Sequence, residues 1–281
     1  MPLRFRAQCA ASLMLPALGM LGAIESPAAA ASASALVPHR AVYDLKLEET
    51  QERSGISGMY GRMVYEMKGS PCDGFSVSFR FVTRVDTEEF SRVTDQQTTT
   101  YENLEEETFR FVTRSFVDDS LDDETSGSAR RGDGGGIDVT LNEPEERSLS
   151  LNAGKFPTEH MLELITRAEE GDRFYQSHIY DGSEDGDRVM LTTTVVGDRE
   201  EPSTGDTELS EAGDLEDAAY WPVSMAYFNE QDRGDETPDY QISFKLHDNG
   251  VTRDLVMDYG DFVLSGKLQS LELFERADCT E

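Results

Sequence analysis

The chain has 281 residues, with 56 acidic side chains against 25 basic and a formal net charge of −31 at pH 7. A field of that sign repels phosphate backbones and anionic head groups, so no nucleic-acid partner is expected, and the acidity reads most simply as a solubility feature. The length is enough to bury one large core.

At the N-terminus Arg4 and Arg6 precede a mostly apolar stretch over 7–24. Small residues follow, and Ala31-Ser32-Ala33 and Ala33-Ser34-Ala35 both fit an A-x-A cleavage site. This is the layout of a secretory signal peptide over 1–35, cleaved near Ala33 or Ala35, which would deliver 36–281 to the periplasm of a Gram-negative bacterium. Pro16, Gly19 and Gly22 interrupt the stretch and argue against a retained anchor, and Cys9 stands too early to be an acylated lipoprotein cysteine. No later segment reaches the ~18 apolar residues of a spanning helix, so the mature form is not expected to cross a membrane. Cleavage removes Arg4, Arg6 and Glu25 and leaves the charge one unit more negative.

From residue 36 onward the dominant signal is period two. Phe75, Val77, Phe79 and Phe81 alternate with Ser76, Ser78 and Arg80, and Ile242, Phe244 and Leu246 alternate with Ser243 and Lys245. Successive strand residues face opposite sides, so these are half-buried strands. Weaker alternation runs over 41–47, 59–67, 109–117, 137–141, 188–196 and 254–274, between turn signals such as Lys68-Gly69-Ser70-Pro71 and Asp248-Asn249-Gly250. The pattern predicts an all-β, mainly antiparallel architecture and not βαβ units. Phe-Arg-Phe-Val-Thr-Arg occurs at 79–84 and again at 109–114, read as two strands of similar composition with Phe facing in. Residues 118–136, acidic and then Gly-rich, read as a loop, and so does 198–218 with its nine acidic residues. The second is either a linker between two lobes or one long surface loop of a single 36–281 domain. One helix is predicted after Pro157, capped by Thr158, with Met161, Leu162, Leu164, Ile165 and Ala168 as its apolar stripe and Gly171 at its C-terminus. It packs on a sheet face, as core or as a lid over an apolar cavity.

Cys72 and Cys279 remain after cleavage, and two cysteines in an exported chain are expected to pair. Such a bridge would stabilise by roughly 5 kcal/mol at most in the chain-entropy view. Their surroundings suit neither a zinc site nor a Cys-x-x-Cys redox pair. His39, His160, His178 and His247 form no metal-binding pair at helical spacing, and no nucleophile elbow or Ser-x-x-Lys occurs, so no cofactor, metal or catalytic residue is assigned. Asp181-Gly182-Ser183-Glu184-Asp185-Gly186-Asp187 looks like the start of a calcium loop, but its twelfth position is Thr192 and a hairpin turn is the better reading. The Gly-rich run over 132–138 is off register for a calcium-binding repeat. Trp221, Tyr227 and Phe228 belong to the densest aromatic cluster, read as core or as the wall of an apolar ligand surface.

The stretch 36–45 (Leu-Val-Pro-His-Arg-Ala-Val-Tyr-Asp-Leu), then Gly61-Arg62-Met63-Val64-Tyr65-Glu66 with Cys72 close behind, resembles the envelope integrity protein B family. So do Phe156-Pro157-Thr158-Glu159-His160, Tyr180-Asp181-Gly182-Ser183, Trp221-Pro222-Val223-Ser224 with Tyr227-Phe228, and Asp278-Cys279. The resemblance spans the mature chain. It implies a periplasmic, many-stranded β-spiral loosely akin to the lipoprotein carriers of outer-membrane sorting, a disulfide between Cys72 and Cys279, a role in cell-envelope integrity and no enzymatic activity. This chain departs from the family in its acidity and in 198–218. The resulting expectation is a non-catalytic protein whose apolar concave face holds a lipid or lipoprotein acyl chain, with Met161, Leu162, Ile165, Trp221, Tyr227 and Phe228 as ligand contacts or lid. The alternatives are an adaptor for another periplasmic envelope protein with no small ligand, and an envelope glycan or lipid hydrolase.

Overall fold

A computed structural model of the protein describes residues 36–229, 237–277 and 279. The signal-peptide reading of 1–35 lies outside them. The strands are β1 (His39–Thr50), β2 (Ile56–Ser70), β3 (Gly74–Thr87), β4 (Ser91–Asn103), β5 (Thr108–Val117), β6 (Ser120–Arg131), β7 (Ile137–Glu143) and β8 (Arg147–Leu151). After helix α1 (Pro157–Glu170) come β9 (Phe174–Ile179), β10 (Met190–Val196), β11 (Trp221–Phe228), β12 (Tyr240–Leu246), β13 (Thr252–Asp258) and β14 (Phe262–Leu273).

All fourteen strands form one sheet in the order β8-β7-β6-β5-β4-β3-β2-β1-β14-β13-β12-β11-β10-β9. It consists of two antiparallel meanders, β1–β8 and β9–β14, joined at a single seam where His39 of β1 lies opposite Leu273 of β14 and Thr50 opposite Phe262. The sheet curls on itself. Lys155, just past β8, makes a parallel bridge to Ile179 at the far edge: its N–H donates to His178 O at 2.7 Å, and Tyr180 N–H donates to Lys155 O at 2.9 Å. The mainly antiparallel all-β architecture with one packed helix is what the sequence pattern predicts, and the open, curved form of the sheet is what the family resemblance implies.

The curl encloses two apolar clusters. The larger joins Tyr43, Leu45 and Met63 of the first meander to Phe244, Leu255 and Leu264 of the second, with Leu164 and Ile165 of α1 between them. The smaller joins Phe109 and Phe111 of β5 and Val139 and Leu141 of β7 to Phe156 and Tyr180. The duplicated hexapeptide lies in β3 and β5 with its phenylalanines inward, half-buried at Phe79 and Phe81 and fully buried at Phe109 and Phe111.

Three local expectations are corrected. Residues 120–131 are strand β6 and not loop; its buried inward positions are Thr125, Gly127, where the Phe111 ring fills the place of a side chain, and Ala129, so no hydrophobic alternation shows. The helix is capped at Phe156 with Pro157 as its first residue, and Thr158 is inside it. Residues 198–218 are not a free acidic loop: they turn through two short 3-10 segments, Leu209–Glu211 and Gly213–Leu215, and bury Glu208, Ala212 and Leu215. The calcium-like stretch 181–187 does form the connection of the β9–β10 hairpin.

Candidate functional site

The inner face of the sheet and the helix lying on it form the best candidate site, and the helix is seated by charge. Phe156 offers no side-chain acceptor for the free N–H groups at the start of α1. Glu102 of β4, buried at 2% exposure, supplies them from across the sheet: Oε2 accepts from Thr158 N–H at 2.6 Å and Oε1 from Glu159 N–H at 2.9 Å. A carboxylate there also complements the positive end of the helix. Burial pushes its pKa up to about 7, against the opposing pull of those two N–H groups. On the outer side Arg131 pairs with Glu159, donates to Gly154 O and lies over the Phe156 ring at 5.4 Å. At the other end Gly171, at φ 83°, turns the chain so that its N–H reaches Ala168 O. Along the flank Ser177 Oγ donates to Glu163 at 2.6 Å, and His160 Nε2 lies 3.2 Å from Thr192 Oγ1, with burial holding the His160 pKa down.

Between these polar attachments the helix rests on a soft apolar bed. Ile165 is buried and Met161 and Leu162 half-buried in the larger cluster. Met59, Met63 and Met67 recur along the inner face of β2, and Met225 of β11 and Met257 of β13 are buried in the same cluster. Methionine is unbranched and adapts to irregular contents. Trp221 is buried in the same cluster beneath the Arg199 guanidinium, 4.7 Å from its ring, and Tyr227 is half-buried 5.5 Å from Tyr240. The structure thus gathers Met161, Leu162, Ile165, Trp221 and Tyr227. Phe228, one position on along β11, belongs to the opposite face because successive strand residues alternate. Cys72, in the β2–β3 turn, and Cys279, beyond β14, are disulfide-bonded with Cα atoms 5.9 Å apart.

A second polar device closes the interior against 198–218. Arg253 of β13 is fully buried, its Nη1 pairs with Asp206, and its Nε donates to His247 Nε2 at 3.0 Å. Asp206 also meets Lys245 Nζ at 2.9 Å, and Glu208 accepts from Leu268 N–H. Burial works against the Asp206 charge, but the hydrogen bonds from Lys245 and Arg253 outweigh it and hold the pKa at about 2. Burial, with the Arg253 charge beside it, pushes His247 down to about 4, which leaves its ring neutral to accept that hydrogen bond. Sequence reasoning missed both Glu102 and Arg253.

A family model described as EipB-like matches residues 30–275. This chain belongs to the EipB-like family. Among EipB-like relatives it is 51% identical over 249 residues, 88% of each chain, to the cell envelope integrity protein EipB of Brucella abortus strain 2308. The crystal structure of a beta-barrel-like protein of a domain of unknown function, also from Brucella abortus, matches with a TM-score of 0.82 and 50% identity. That match covers 85% of this chain and 99% of the other.

Proposed function

We propose that this EipB-like protein maintains cell-envelope integrity from the periplasm, without catalysis, by holding a lipid or a lipoprotein acyl chain along its inner sheet face beneath α1. The observation that carries the reading is a methionine-rich apolar interior beneath a helix whose first turn is held by buried polar contacts from a neighbouring strand. A single acyl chain is an occupant that methionines accommodate without fixed shape. Three of the histidines support a non-catalytic role: His39 donates to Val37 O, His160 meets Thr192 and His247 accepts from Arg253, each in a buried structural contact. The 51% identical relative named for cell envelope integrity supports the place of action.

The test is native mass spectrometry of the protein released from cells without detergent. Extra mass matching a phospholipid or an acylated peptide is the expected result, and the denatured mass should begin after Ala33 or Ala35. A ligand-free chain carrying a stoichiometric protein partner would overturn the lipid reading in favour of an adaptor. One feature favours that second reading: Phe174 and Val195, 65% and 48% exposed, face each other across β9 and β10 at the sheet edge. Changing both to serine should abolish partner capture if the adaptor is right and leave lipid mass untouched if the carrier is right.

A further inference from the structure

On the outer face of β5–β8, opposite the Phe109 cluster, two rows of side chains cross four strands in register. One row is Thr108, Arg130, Asp138 and Ser150. Three of its four members satisfy one another: Arg130 Nη2 lies 3.6 Å from Asp138 Oδ2, and Ser150 Oγ donates to Asp138 Oδ1 at 3.0 Å. The neighbouring row is Arg110, Ser128, Thr140 and Ser148, and none of these side chains has an ion pair or hydrogen bond to a described residue. Every other arginine among the described residues is engaged. In a chain with 56 acidic side chains, a guanidinium left without a carboxylate is a departure from the rule the rest of the surface follows.

The two rows line a groove of about 480 Å³, within the ~300–1,000 Å³ typical of small-ligand sites. Strands lie ~4.8 Å apart, so the open row extends ~14 Å from Arg110 to Ser148. It offers a fork of charged donors at one end, suited to bidentate capture of a carboxylate or phosphate. Three evenly spaced hydroxyls follow, each both donor and acceptor. A lipid tail has no use for such a row, and a nucleic acid would need many neutralising cations in place of one. Linked sugars present hydroxyls with the same dual character at comparable spacing.

We propose that this groove binds an acidic glycan, with the acid group on Arg110 and successive sugar hydroxyls along Ser128, Thr140 and Ser148. The site is independent of the inner face and stands whether or not a lipid binds there.

Isothermal titration of the purified protein with trigalacturonate and with a phosphorylated maltotriose tests it, with maltotriose and inorganic phosphate as controls. At least one acidic trisaccharide should bind at millimolar concentration or tighter, and the better of the two identifies the acid group. Arg110→Ala should weaken that binding about tenfold, the size of a lost charge-assisted contact, at an unchanged thermal midpoint. Thr140→Val with Ser148→Ala should weaken it by a smaller factor with Arg110 intact. No binding of either acidic sugar, equal affinity in R110A, maltotriose binding as tightly, or inorganic phosphate matching the better sugar would each overturn the proposal.

Discussion

Glu102 is a buried carboxylate performing the task that a serine or aspartate at the helix cap usually performs. Its pKa is raised from 4.5 to about 7. Between those values the folded state keeps a proton that the unfolded state has released, so this group's stabilisation is whole below pH ~4.5 and is lost as the pH rises to ~7, by at most about 3 kcal/mol. Glu102→Gln removes the titration. Urea midpoints should therefore show the natural protein losing ground to E102Q as pH climbs through that window, and a gap constant with pH would refute the assignment. Arg253 is the opposite case, a charge that must stay. Arg253→Ala leaves Asp206 with Lys245 alone and Glu208 with only the Leu268 N–H, both buried, and should cost about 3–5 kcal/mol in chemical denaturation. Neither residue was legible in the sequence. Each is one charge among many, and what sets it apart is a partner distant in the chain: residues 158 and 159 for Glu102, and 206 for Arg253.

At the scale of elements, strands with large apolar residues on alternate positions announced themselves, and those that fill their inner face another way did not. β4 is nearly all polar, yet it sits in the middle of the first meander. It is held there by threonine pairs, Thr83 Oγ1 to Thr94 Oγ1 at 2.7 Å and Thr98 Oγ1 to Thr113 Oγ1 at 3.0 Å. Threonine is β-branched and suits a pleated surface, so the strand keeps its propensity while losing its hydrophobic signature. β6 loses it to small residues, and at Gly127 the Phe111 ring leaves no room for more. The same ring explains the β9–β10 connection, which folds back onto it. A Cβ on Gly182, at φ 69°, would come within 2.6 Å of the Phe111 ring, whereas one on Gly55, at φ 68°, meets nothing within 4 Å. Backbone strain is thus common to both positions and the clash belongs to one. Gly55→Ala should cost about 1 kcal/mol, and Gly182→Ala about 1–3 kcal/mol more. Equal losses in thermal or urea unfolding would mean that the connection does not pack as described.

For the whole molecule the decisive feature is the seam. The two meanders are local, built from neighbouring strands, but they become one sheet only where the first strand meets the last. Closing so long a loop is entropically costly in an unfolded chain. The Cys72–Cys279 bond, spanning 207 positions, is placed to reduce that cost. Cys72 follows β2, the neighbour of β1, and Cys279 follows β14, so the bond clasps the two strands flanking β1 at one end of the seam. The backbone ladder between β1 and β14 is long and continuous apart from two bulges, so the seam has hydrogen bonds of its own beside the sulfur link. The stabilisation should therefore reside chiefly in the unfolded ensemble, which the bond keeps from separating its ends. Cys72→Ser with Cys279→Ser should lower unfolding free energy by about 2–5 kcal/mol while leaving the far-ultraviolet spectrum of the folded protein unchanged. Reductant should lower the natural protein to the level of the double variant and have no effect on that variant. If the reduced and oxidised proteins unfold at the same denaturant concentration, the ladder alone holds the seam and the clasp serves the chain only after β14 has ended.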